Sequence, residues 1–137
     1  MITGGKITAV EARRIKEGEA VSGMNVNISI EDVRAEKNRL VVRYSYNVDY
    51  AESVAQIKVN GELYLDEKNA REVEEKWRKT KQVEPAMAEE LLTAITYAGT
   101  ATGTLLAFSV NIQAPINIPR ARVVSPASSG TEKPKAG

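Results

Sequence analysis

The chain has 137 residues, with 19 Lys and Arg against 18 Asp and Glu and a formal charge of +1. That length holds one core of ordinary size, and the near-neutral balance gives no electrostatic reason to expect nucleic acid or an anionic membrane as partner. Cysteine and histidine are both absent, which removes disulfides, thiolate nucleophiles, Ser-His-Asp and Cys-His catalysis and nearly every zinc or copper site.

The opening MITGGKITAV lacks the basic start and the apolar stretch of a secretory signal, so the cytoplasm is the expected location. Next, GKITAVEARRIKEGEA alternates imperfectly and carries Arg13, Arg14 and Lys16, which suits an edge strand that resists further pairing. Between Met24 and Glu36 the alternation is regular. Met24, Val26, Ile28 and Ile30 share one face and Asn25, Asn27 and Ser29 the other, the two-residue period of a half-buried strand. After the turn-like EKN, Leu40, Val42, Tyr44, Tyr46, Val48 and Tyr50 repeat the pattern against Val41, Arg43, Ser45, Asn47 and Asp49, so the two runs are expected to pair as an antiparallel hairpin.

The run VAQIKVNGELYLDE contains Asn60-Gly61, the dipeptide that most often makes a two-residue hairpin turn. A turn there would throw the apolar set onto opposite faces on either side of it. Read as one strand, Ala55, Ile57, Val59, Gly61, Leu63 and Leu65 stay on a single face. A single long strand is therefore predicted, with Gly61 at a bulge or a close backbone approach. The period then turns helical. Asn69 can cap AREVEEKWRKT, with Ala70, Val73 and Trp77 on one stripe. A second helix starts at Glu84-Pro85, with Pro in the first turn and Glu89 and Glu90 near the positive end of the dipole. It runs to about Ser109, before QAPINIP, whose prolines forbid continuation. The predicted fold class is α+β: a four-stranded antiparallel sheet followed by a short and a long C-terminal helix. Residues 1–124 are expected to form one domain and 125–137, rich in Ser, Pro, Gly and Lys, a disordered tail.

No residue from Leu91 to Pro119 is charged, a length that meets the criterion for a bilayer span. Five threonines and two glycines between Thr93 and Thr104 dilute its apolar content, Glu89 and Glu90 abut one end, and no aromatic belt brackets it. The expectation is a helix buried between protein surfaces, without membrane insertion. Ala98, Gly99, Thr102 and Gly103 form a small-residue strip that allows close backbone approach, and a second copy of the chain is expected there, in a homodimer or homotetramer. The chain's own sheet is the other surface that could fill it.

Candidate chemistry is sparse. Glu89 and Glu90, adjacent on a helix, diverge by about 100° and cannot serve one substrate as an acid/base pair. The charges of AREVEEKWRKTKQ interleave as a solvated face. There is no Gly-rich phosphate loop, calcium-type loop or dinucleotide fingerprint, so no catalytic residue, cofactor or metal is expected. Tyr44, Tyr46 and Tyr50 line the apolar face of one strand with Trp77 nearby. Such aromatics serve a core, or a groove that takes apolar side chains and offers polar tips to a backbone.

Strand-to-helix order, Gly61-Glu62-Leu63-Tyr64-Leu65 at the end of the fourth strand, and the proline-containing Ala114-Pro115-Ile116-Asn117-Ile118-Pro119 after the long helix resemble the SecB-like export-chaperone family. The family's Pro-aromatic-x-Arg element has no counterpart in Leu92 to Tyr97, and its translocase-binding tail none in SPASSGTEKPKAG. The resemblance implies an oligomer that holds unfolded or extended polypeptide in apolar grooves without ATP, with Tyr44, Tyr46 and Trp77 as groove residues. The alternative is a small enzyme or binding protein that encloses an apolar metabolite between sheet and helix; a structural subunit of a larger complex is a third.

Overall fold

The computed structural model describes residues 1–17, 21 and 23–115. Four antiparallel strands form one sheet: β1 (Ile2–Arg14), β2 (Met24–Glu36), β3 (Arg39–Tyr50) and β4 (Ala55–Asp66), in the order β1-β4-β3-β2. Two helices follow, α1 (Ala70–Thr80) and α2 (Pro85–Ser109). The fold class read from the alternation is the one observed. The expected tail, residues 125–137, lies outside the described residues, as do Ile116 to Pro119.

β2 and β3 pair across the Lys37-Asn38 turn, from Glu36↔Arg39 to Met24↔Tyr50, with Lys37 at φ 60. β4 is a single strand through Asn60-Gly61. The reason lies in packing: Gly61 sits opposite Tyr44 on β3 and Ile7 on β1, and a Cβ there would stand 2.5 Å from the Tyr44 hydroxyl and 2.7 Å from the Lys6 carbonyl oxygen. Gly61 thus permits a close approach, and the neighbouring register irregularity falls on β1, between Ile7 and Ala9. β2 carries an irregularity of its own between Ile30 and Asp32. The extra residue resets the alternation, so that Ile28, Ile30, Val33 and Ala35 all reach the core cluster although their numbering changes parity.

Both helices cover the sheet face on which β3 places Leu40, Val42, Tyr44, Tyr46, Val48 and Tyr50 and β4 places Ile57, Val59, Leu63 and Leu65. α1 crosses β2 and α2 runs over β4, β1 and β3. Ala70 and Trp77 of α1 are buried and Val73 half-buried, as their spacing predicts. Asn69 occupies the cap position, but its side chain makes no cap bond; its own N–H donates to Glu67 Oε2 at 3.1 Å. α2 begins with Pro85 and buries Leu91, Ile95, Gly99, Gly103 and Ala107. Its first turn holds no carboxylate; Glu90, one turn on, accepts a hydrogen bond from the Ile2 N–H at 3.2 Å and ties α2 to the start of β1.

The far end of α2 is anchored twice. Arg14 donates to the carbonyls of Val110 and Asn111, and the buried Tyr50 hydroxyl donates to the Gln113 carbonyl at 2.5 Å. Burial, with Tyr46 beside it, pushes the Tyr50 phenol up to about 12. α2 is long and apolar enough to cross a membrane by length and composition, and 28% of its most apolar window is buried inside the chain.

Candidate functional site

The first strand of the hairpin, β2, is an edge of the sheet, and α1 and the beginning of α2 pack beside it. Between them lies an open groove of about 430 Å³. Ile28, Ser29 and Ile30 form its β2 wall, Trp77 and Lys81 its α1 wall, and Ala88, Leu92 and Ile95 its α2 wall. These residues reach the groove for local reasons. Ile28 and Ile30 belong to the apolar face of a strand that has no outer neighbour among the described residues. Leu91 and Leu92 are adjacent on a helix, so they diverge by about 100°: Leu91 is buried on the sheet, whereas Leu92 is 52% exposed and lines the groove.

Trp77 is the largest side chain lining this groove. It is the only tryptophan of the chain and is 8% exposed. Its carbonyl accepts the Lys81 N–H at 2.8 Å. Lys81 takes a left-handed conformation at φ 58, which ends α1 and folds its side chain back until Nζ stands 5.5 Å from the Trp77 ring centroid. The ring thus has a cation on one side. Its indole Nε1 is buried and has no hydrogen-bond acceptor among the described residues. An orphaned buried donor is rare in a folded chain and costs about 1–3 kcal/mol. Nearby, the Ala35 N–H of β2 donates to Glu74 Oε2 of α1 at 3.3 Å; Glu74 also pairs with Arg78. That stretch of the β2 edge is thereby covered, while the groove lies beside Ile28 to Ile30.

The aromatic residues singled out from sequence separate. Trp77 lines the groove. Tyr44 and Tyr46 are 2% and 1% exposed and lie in the core: the Tyr44 phenol is pushed up by burial, and the Tyr46 hydroxyl shares a hydrogen bond with Thr100 Oγ1 at 3.3 Å. The small-residue strip is also used within the chain. A Cβ at Gly99 would overlap the Tyr46 ring, and one at Gly103 would stand 3.0 Å from Pro115 Cγ; Ala98 and Thr102 are half-buried. The close approach these glycines allow is therefore to Tyr46 and Pro115 of the same chain. Because the Tyr46 ring fills the space between sheet and α2, no hollow for an enclosed metabolite opens at that point.

Ile28, Ile30, Lys81 and Leu92 were not singled out by the sequence reading. The signal for Leu92 is the Leu91-Leu92 tandem, one of which must turn away from the sheet. For Ile28 and Ile30 it is an apolar face on a strand placed at an edge.

No family model and no curated protein sequence matches the chain. Solved structures do match. One is the SecB-like chaperone Rv1957 of Mycobacterium tuberculosis in complex with a ChAD peptide from the Rv1956 HigA1 antitoxin, at a TM-score of 0.58, covering 90% of this chain and 92% of that one, with 12% sequence identity. The fold is SecB-like. At that identity the likeness is one of architecture, and the SecB-like sheet and helices of this chain are built from largely different side chains.

Proposed function

We propose that this chain is an ATP-independent, chaperone-like protein that binds unfolded or extended polypeptide in the groove between β2, α1 and α2. The reading includes a homodimer or homotetramer in the cytoplasm, without membrane insertion, nucleic acid or cofactor. The observation that carries it is the composition of the groove: apolar walls from three elements at an open sheet edge, with Trp77, whose buried indole N–H lacks an acceptor among the described residues, in the α1 wall. An extended chain supplies what this arrangement lacks. Its apolar side chains fill the space beside Ile28, Ile30 and Leu92, and a main-chain carbonyl can accept from Trp77 Nε1 once the Lys81 side chain swings off the ring. A globular partner would be too broad for a groove of this size, and a charged ligand would find one cation, already over the ring. The peptide in the matching SecB-like structure supports the same class of ligand.

Because Trp77 is the sole tryptophan, its fluorescence reports on the groove directly. Titration with an extended peptide of alternating apolar residues is expected to change the Trp77 emission, with saturation, as the peptide displaces Lys81 and alters the surroundings of the ring. Trp77→Phe, which keeps an aromatic ring but deletes the N–H, is expected to weaken binding by about tenfold, the worth of one hydrogen bond to a buried donor. In parallel, equimolar protein should slow the light-scattering rise of an aggregating unfolded client. An emission spectrum indifferent to peptide, together with unaltered client aggregation, removes the proposal.

A further inference from the structure

We infer, on the groove reading above, that Lys81 determines which polypeptide is held: one that carries an Asp or Glu side chain beside its apolar ones. Of the eight residues that line the groove, Lys81 alone can carry a charge. Its ammonium makes no ion pair among the described residues; what it has instead is the Trp77 ring, whose centroid is 5.5 Å away. The neighbouring carboxylates do not neutralise it. Glu74 accepts from the Ala35 N–H and pairs with Arg78, Glu31 accepts from the Ser45 hydroxyl at 3.2 Å, and Glu84, three residues on from Lys81, forms no ion pair among the described residues.

The end of α1 is basic as a whole. Lys76, Arg78, Lys79 and Lys81 put four cations into six residues with no carboxylate between them. Part of that charge answers the negative end of the helix dipole, and the ring contact holds Lys81 in the free chain. A client changes its situation. To reach Trp77 Nε1, a main-chain carbonyl must displace the ammonium from the ring, while apolar side chains against Ile28, Ile30 and Leu92 strip water from the same space. A charge that loses both ring and water is costly unless an opposite charge meets it. The aliphatic stem could carry the ammonium outward to water, but the surface around the end of α1 is already positive, so like charges oppose that position. An acidic side chain on the client removes the cost with a charge-assisted bond, and the same positive field draws it in; a basic side chain is repelled. A single carboxylate within an otherwise apolar, extended segment is thus the client chemistry that completes the groove.

Dye-labelled peptides with blocked ends, alternating in apolar residues and differing only in one flanking side chain, read the preference by fluorescence anisotropy. The Glu peptide is expected to bind about fivefold more tightly than the Gln peptide, and the Lys peptide more weakly than either. Asparagine accepts a left-handed backbone, so Lys81→Asn removes the charge while keeping the φ 58 turn that ends α1. It should bring the Glu and Gln peptides to equal affinity, and Lys81→Arg should keep the preference. About 0.5 M salt should narrow it in the intact protein. Equal affinities for the Glu and Gln peptides, or a Glu preference that survives Lys81→Asn, overturn the role of Lys81 and leave the groove standing. So does tighter binding of the Lys peptide. A Gln peptide with a free carboxy terminus that outbinds the blocked Glu peptide overturns the side-chain carboxylate in favour of a chain end. Failure of every peptide to bind removes the groove reading itself, and this selectivity with it.

Discussion

Gly99 shows how much one missing methyl group determines here. Its Cα faces the ring of Tyr46 so closely that no side chain fits, and that ring fills the space between α2 and β3. Gly99→Ala should therefore force ring or helix to move, at a cost of about 1–3 kcal/mol or more, read as a lower urea midpoint with an unaltered slope. Gly103→Ala should cost less, since the nearest atom to its Cβ is Pro115 Cγ at 3.0 Å and the Tyr46 ring stands 3.7 Å away. Tyr50 makes a different contribution. Its phenol is neutral in the core and pushed up to about 12 from an ordinary value of 10.0, so the folded state holds this proton more tightly than the unfolded one does. The stabilisation is complete below pH 10 and disappears as pH climbs from about 10 to about 12, on the order of 2 kcal/mol. Tyr44, shifted in the same direction, adds to the same alkaline loss. Tyr50→Phe should flatten that part of the thermal-stability profile while lowering stability near neutrality by about 1 kcal/mol, the worth of its bond to Gln113.

Elements of regular period were legible before any coordinates. β3 and β4 alternate without a break, and the refusal of Asn60-Gly61 to turn follows from keeping Val59 and Leu63 on one face. α1 and α2 begin and end close to where their caps, prolines and apolar stripes put them. What could not be read was which side of a mixed surface meets which neighbour. Alternation in β2 stops at Ile30-Glu31-Asp32, and only pairing with β3 shows that an extra residue restores it. Deleting Glu31 removes that extra residue and should leave Ile30, Asp32 and Val33 opposite Tyr44, Arg43 and Val42, with Val33 and Ala35 still on the core face. Cooperative thermal unfolding is therefore expected to survive by calorimetry, whereas an insertion beside Glu31 should throw Val33 and Ala35 onto the solvent face and abolish it. In α2 both sides are uncharged, so composition did not separate the sheet-facing glycines from the outward aromatics. The groove itself was half legible: Trp77 was found from residue type, whereas Tyr44 and Tyr46, of equally suitable chemistry, are covered by the helix that their apolar face attracts.

At the scale of the molecule, three surfaces differ in chemistry. The sheet face away from the helices bears Ser29, Ser45 and Asn60 in one cross-strand row and Asn27, Asn47 and Lys58 in the next, a polar surface suited to water. The groove opens at the β2 edge, and the outward stripe of α2 with Tyr97, Leu105 and Phe108 exposed lies on the opposite side of that helix from Leu92.

Strand order has a further effect, on the chain's own synthesis. β1 is made before the other three strands, yet its partner among the described residues is β4, with Ile2 beside Leu65 and Arg14 beside Ala55. The β2–β3 hairpin can close as soon as it emerges, but the opening residues have no template until the fourth strand has left the ribosome. Throughout that interval the nascent protein itself carries a free extended segment bearing Ile2, Ile7 and Val10, the kind of chain that the groove is proposed to hold.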